Sequence, residues 1–158
     1  MTDFENLLDR FAAAATRGDG PGLAALFTPE GIYDDYFFGP YVGRDAIAGM
    51  LAHFAEGGED FRWTFHDPLA GEHLAYASYR FSYTSKAPEA AGTRVCFAGM
   101  SRFELRGHLI ARYSEVFDRG MALAQQNFAP ERLSRICRRY GEALKRSEEW
   151  KDHVGSRA

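Results

Sequence analysis

Cysteine is scarce in this chain, long apolar runs are missing, and neither sign of charge prevails. The 158 residues include two cysteines, Cys96 and Cys137, without CxxC spacing. That excludes a disulfide framework, and both are expected to be small buried hydrophobes. No stretch approaches the ~20 apolar residues needed to span a bilayer, and Met1-Thr2-Asp3-Phe4-Glu5 lacks the basic-then-apolar order of a secretory signal. A cytoplasmic protein with no membrane partner is expected. A net charge of −3 leaves no basic footprint for nucleic acid. There is no glycine-rich phosphate loop and no dinucleotide fingerprint. The five histidines, His53, His66, His73, His108 and His153, do not form a ligand set. No cofactor and no metal are therefore expected.

What is present is a globular balance: 46% hydrophobic against 26% charged residues suits one folded domain of ordinary size. The aromatic share of 15% is high for so short a chain, so the rings must fill a core, line a cavity or cover an interface.

Thr2 and Glu5 have the spacing of a capping box, and Phe4, Leu7, Leu8, Phe11 and Ala15 fall on one helical face, ended by Gly18 and Gly20. Leu23, Leu26 and Phe27 predict a short second helix stopped by Thr28-Pro29. Residues 31–36 read as a brief strand and Phe37 to Tyr41 as a loop. A third helix carries Ile47, Met50, Leu51 and Phe54 before Gly57-Gly58. From Phe61 the period becomes two. Strands are predicted up to Asp67-Pro68, then over 73–85, 93–105 and 109–117, joined by turns at Ala70-Gly71-Glu72 and Arg106-Gly107. Ala129-Pro130-Glu131 opens a last helix with Leu133, Ile136, Cys137, Tyr140 and Leu144 on one face and Arg132, Arg135, Arg138, Arg139 and Lys145 on its solvated side. The tail beyond Trp150 reads as polar and loose. Helices first and strands afterwards give an α+β fold.

This order, together with Phe27-Thr28-Pro29-Glu30-Gly31-Ile32-Tyr33-Asp34-Asp35, Gly43-Arg44-Asp45-Ala46-Ile47, residues 101–110 and Tyr113-Ser114-Glu115-Val116-Phe117-Asp118, resembles the nuclear transport factor 2-like superfamily and, within it, the SnoaL-like proteins. The resemblance implies a cystatin-like α+β roll: a cone-shaped, curved, mixed or antiparallel sheet with N-terminal helices on its concave face. It further implies a cone domain over residues 1–120, with 121–158 as a helical extension of the same unit. Relatives use the cone's pocket as ketosteroid isomerases, polyketide cyclases, dehydratases or epoxide hydrolases, and others have no activity.

By that resemblance Asp34 or Asp35 ends the first strand where relatives carry a general base. Alternation admits one of them, and the likeness favours Asp35 together with Tyr33; the other phase would turn Ile32, Asp34 and Tyr36 inward. Glu115 and Asp118 stand where SnoaL-like enzymes often have an acid, although Asp118 equally suits a helix cap. Tyr33 and Tyr113 are candidate donors to a developing oxyanion. Phe11, Met50, His53, Phe54, Trp63, Phe65, Phe97 and Phe103 are candidate ligand contacts.

The leading expectation is cofactor-free acid/base chemistry, an isomerisation, cyclisation or dehydration of a compact apolar or polyketide-like molecule, with Asp35 as base. One alternative is a non-catalytic ligand-binding or dimerisation module. Another is epoxide-hydrolase-like activation of water, with Arg80, Arg102 or Arg112 as the required cation. A homodimer through the outer sheet face is expected from aromatics placed on both faces of the strands.

Overall fold

The computed structural model describes residues 2–155. The chain runs through α1 (Asp3–Arg17), α2 (Gly20–Ala24), β1 (Phe27–Asp35), β2 (Gly39–Val42), α3 (Arg44–Gly57), β3 (Gly58–Ala70), β4 (Leu74–Ser85), β5 (Arg94–Arg106), β6 (Leu109–Phe117), α4 (Arg119–Ala124) and α5 (Pro130–Arg146). One six-stranded sheet has the order β2-β1-β6-β5-β4-β3. All neighbours are antiparallel except β1 and β6, which run parallel. Helices lie against the inner face, and the fold is the mixed α+β roll with a curved sheet.

Thr2 caps α1 in a full capping box with Glu5, and Gly18 closes the helix at φ 71°, a left-handed turn in which a side chain would be strained. Two boundaries differ from expectation. Leu26 and Phe27 belong to no helix, and Phe27 already starts β1. Pro29 interrupts that strand instead of ending a helix: its register against β6 shifts between Phe27 and Ile32. The Arg44 guanidinium donates to the Phe27 carbonyl from Nε (2.9 Å) and Nη2 (2.6 Å), satisfying an oxygen beside the irregularity. The expected loop after Tyr36 contains β2, which pairs from Gly39 to Val42 with β1.

Rows of opposed residues fix which side chains share a face. Tyr33 pairs with Tyr113, Tyr113 with Phe103 and Phe103 with Ala75 on the inside; Asp34, Ser114, Arg102 and Tyr76 form the next row, on the outside. Of Trp63, Tyr76, Tyr79, Tyr83, Phe97 and Phe103, only Tyr76 is in an outward row, so the aromatic load expected on both faces is on one. The outer face instead exposes Met100 and Val116. Cys96 is exposed in an outward position and Cys137 is half-buried, which corrects the expectation of two buried thiols.

The core centres on Phe11, fully buried and ringed by Phe27, Tyr33, Trp63, Phe65, Phe103 and Tyr113 at 4.9–6.3 Å between centroids. After β6, α4 and α5 cross toward the other end of the sheet. A 3₁₀ turn (Glu148–Trp150) follows α5, and beyond Trp150, where a loose tail was expected, Lys151–Val154 form a short exposed helix. No described helix is long and apolar enough to cross a membrane.

Candidate functional site

A cavity of about 760 Å³ opens between the inner sheet face, α3 and the C-terminal helices, within the range of small-molecule sites. Its wall is chiefly aromatic. Trp63, Tyr79, Phe81, Tyr83, Phe97 and Phe117 come from the strands, Phe37 and Phe38 from the turn after β1, and His53 and Phe54 from α3. Two buried carboxyl groups, Asp35 and Glu115, interrupt this wall, while the exposed Glu56 and Glu59 stand at its border.

Alternation along β1 turns Tyr33 and Asp35 inward and sends Asp34 outward, where it forms an ion pair with Arg112 of β6. Asp34 is thus no part of the cavity. The parallel ladder ends at Asp34 and Ser114, and the next residues of the two strands are Asp35 and Glu115. Both are buried, at 6% and 9% exposure. Asp35 Oδ1 accepts the backbone N–H groups of Phe37 (3.0 Å) and Phe38 (2.9 Å), which fixes the carboxyl plane. Its Oδ2 has no hydrogen-bond partner among the described residues. Burial pushes the Asp35 carboxyl up to about 6, although both backbone donors act against the rise.

Glu115 is held differently. Its Oε2 accepts the hydroxyls of Tyr79 (2.8 Å) and Tyr113 (2.9 Å), and Tyr113 is in turn within 3.0 Å of Ser101 Oγ. Burial, reinforced by the charge of Asp35, pushes Glu115 up to about 7 despite the two tyrosine donors. The Asp35 charge is thus one reason that Glu115 keeps its proton to higher pH. Small residues make the arrangement possible: Glu115 is opposite Ser101, and the next inward row sets Gly99 between Phe117 and Tyr79. A methyl group on Gly99 would meet the Tyr79 hydroxyl at 2.7 Å and the Val116 carbonyl at 2.5 Å. Glycine there gives the phenol room to cross toward Glu115.

Several expected site residues are elsewhere. Tyr113 is fully buried behind Glu115 and positions that acid rather than facing the cavity. Asp118 caps α4, its Oδ1 accepting the Met121 N–H at 2.8 Å. Phe11, Met50, Phe65 and Phe103 pack in the core under α1 and α3, because α1 covers that part of the sheet. Tyr33, His53, Phe54, Trp63 and Phe97 do line the cavity. Trp63 also holds a buried indole N–H without a partner among the described residues. Arg80, Arg102 and Arg112 occupy outward rows, so none stands between Asp35 and Glu115. Tyr79, Phe37 and Phe117 line the cavity as well, beyond the residues expected at the site. Inward parity with Tyr33 was the available signal for Tyr79, whereas nothing in the sequence marks Phe37, which lies in a turn.

A helix-covered curved sheet with acids inside an aromatic cavity is joined by a direct match: the SnoaL-like domain model fits residues 8–113. The chain belongs to the SnoaL-like domain family. No curated protein matches it. Its SnoaL-like fold is similar to a ketosteroid isomerase-like protein from Catenulispora acidiphila in complex with trimethylamine, at TM-score 0.69 and 22% identity, over 78% of this chain and 97% of that one. A candidate polyketide cyclase from Xanthomonas campestris is similar at TM-score 0.66 and 20% identity, over 78% and 96%. An LEH-like epoxide hydrolase from M. tuberculosis gives TM-score 0.64 and 16% identity, over 79% and 90%. These likenesses show the fold. The SnoaL-like match ends before α4 and α5, so both helices lie outside it.

Proposed function

We propose that this SnoaL-like chain binds a compact, largely apolar molecule carrying a carbonyl oxygen and moves a proton on it without a cofactor, as an isomerase, cyclase or dehydratase does. The observation that carries this reading is the pair of buried acids, Asp35 and Glu115, on neighbouring strands in one aromatic cavity. Burial raises both acids toward neutrality, where a carboxyl group exchanges protons most effectively at physiological pH.

Asp35 has the lower value and one oxygen free of hydrogen bonds, and it serves as the base. It takes a proton from the carbon next to the carbonyl; the C–H electron pair moves into the carbon framework and charge develops on the carbonyl oxygen. The same carboxyl, or the protonated Glu115, returns a proton at a second position. The aromatic wall excludes water and attracts the apolar body of the substrate, at ~25 cal/mol per Å² of area removed from water. The epoxide-hydrolase alternative requires a cation between two acids, and Arg80, Arg102 and Arg112 face away.

The test is exchange of carbon-bound hydrogen in heavy water, followed by mass spectrometry, over a panel of cyclic and aromatic ketones. Wild type is expected to catalyse exchange at a rate that rises with pH through about 6, and Asp35→Asn to lose roughly 10²–10⁴-fold. Equal exchange by the variant removes the assigned base. Binding without exchange favours the non-catalytic module.

A further inference from the structure

The helical extension contributes to the cavity as well as to the surface. Leu123, Gln126 and Phe128 line it from α4 and the connection that follows, and Ile136 and Tyr140 line it from α5. The first part is anchored in the sheet. The Gln125 side chain accepts the Cys96 N–H at 2.9 Å and donates to the Cys96 carbonyl at 2.9 Å, pairing strand groups beyond the end of β6. Gln126 is buried, accepts the Ser85 hydroxyl at 2.6 Å and donates to the Tyr83 hydroxyl. By contrast α5 has no buried residue. What orients Tyr140 is Arg119, whose guanidinium lies 3.9 Å from the Tyr36 ring on one side and 3.7 Å from the Tyr140 ring on the other, while Nη1 donates to the Tyr36 carbonyl at 2.9 Å.

The tyrosine hydroxyls along this wall are not equivalent. Tyr79 and Tyr113 are both spent on Glu115, Tyr83 accepts from Gln126, and the buried Tyr33 hydroxyl is engaged by Tyr113. Tyr140 lines the cavity, and its hydroxyl has no hydrogen-bond partner among the described residues. It is also near enough to Asp35 to sense that acid: burial raises the Tyr140 hydroxyl's pKa, the Arg119 guanidinium opposes the rise, and the Asp35 charge adds to it.

We propose that the extension completes the binding site: the Tyr140 hydroxyl, held over the cavity by the Arg119 stack, donates the hydrogen bond that fixes the ligand's oxygen. The inference rests on the cavity being a site for an apolar ligand with one oxygen, and it does not depend on Asp35 acting as a base. Such a bond selects a carbonyl compound over its hydrocarbon counterpart, because a hydrocarbon leaves the hydroxyl unpaired in a desolvated place.

The experiment uses the full chain and two matched probes, 2-acetylnaphthalene and 2-ethylnaphthalene, with affinities from fluorescence titration and the bound ketone's carbonyl stretch from infrared difference spectra. Tyr140→Phe keeps the ring and its stack on Arg119. It is expected to weaken the ketone about fivefold to tenfold, bind the hydrocarbon at least as tightly as wild type does, and move the carbonyl stretch upward from its wild-type position. Tyr140→Ala is expected to weaken both probes. A Tyr140→Phe protein that binds the ketone like wild type, with the same stretch, overturns the proposal while the cavity remains a binding site. Failure of the wild type to bind either probe overturns it together with the binding reading.

Discussion

At one end of the sheet Phe11 drops from α1 into six aromatic rings and leaves no space. At the other, Phe97 stacks on Phe117 at 4.2 Å, and Phe37 and Phe81 close around them, yet the rings border a cavity of about 760 Å³. The residue types are the same and so is the strand parity. What differs is the cover. The apolar stripe of α1 seats on the first region with five residues buried, whereas α5 approaches the second with none. Buried acids accompany the open region because a cavity can receive their polar atoms. A close-packed core would leave them unpaired at a cost of several kcal/mol.

Mutations that treat the two regions alike test this contrast. Phe11→Ala is expected to destabilise by ~3–5 kcal/mol, as the loss of a fully buried ring does, read by urea unfolding. Phe54→Ala on the cavity wall removes a half-exposed ring and should cost roughly 1–2 kcal/mol. Equal losses would mean that the wall is an ordinary core. Glu115→Gln sharpens the comparison through pH. The folded protein keeps a proton on Glu115 up to about 7, above the ordinary value of 4.5, so wild type holds protons that the unfolded chain has released, and its stability falls as pH rises across that window. The amide has no proton to lose. Relative to wild type, Glu115→Gln should therefore gain with pH, by on the order of 3 kcal/mol between pH 4 and pH 8, measured by denaturant titration at each pH. A constant difference would place Glu115 outside a desolvated site.

Much of this was legible beforehand because two periodicities carry it. Thr2, Glu5 and the stripe of Phe4, Leu7, Leu8 and Phe11 specify α1, and alternation over β3 to β6 sorts inward from outward residues. The same alternation separates Asp34 from Asp35 once the inward phase is known. Periodicity cannot report how far a helix reaches across a sheet. For that reason Phe11, Met50, Phe65 and Phe103 were expected at a ligand and belong to the core, although Phe97, of the same parity, borders the cavity. Tyr113 was obscured by a related ambiguity, since an inward tyrosine can serve a ligand or an acid beside it, and here Glu115 takes its proton donor. The stripe of α5 reads as core from spacing alone. The placement of Arg119 between Tyr36 and Tyr140, together with Arg132 over Phe128 and paired with Glu89, brings that stripe over the cavity.

Carboxyl-carbon NMR of Asp35 and Glu115, titrated from pH 3 to 9, tests most directly the claim that the open end of the cone holds two desolvated, interacting acids. The account predicts coupled transitions near 6 and 7, with the upper one moving down in Asp35→Asn because the neighbouring charge is gone. Two independent transitions near 4, unaffected by that substitution, would contradict it.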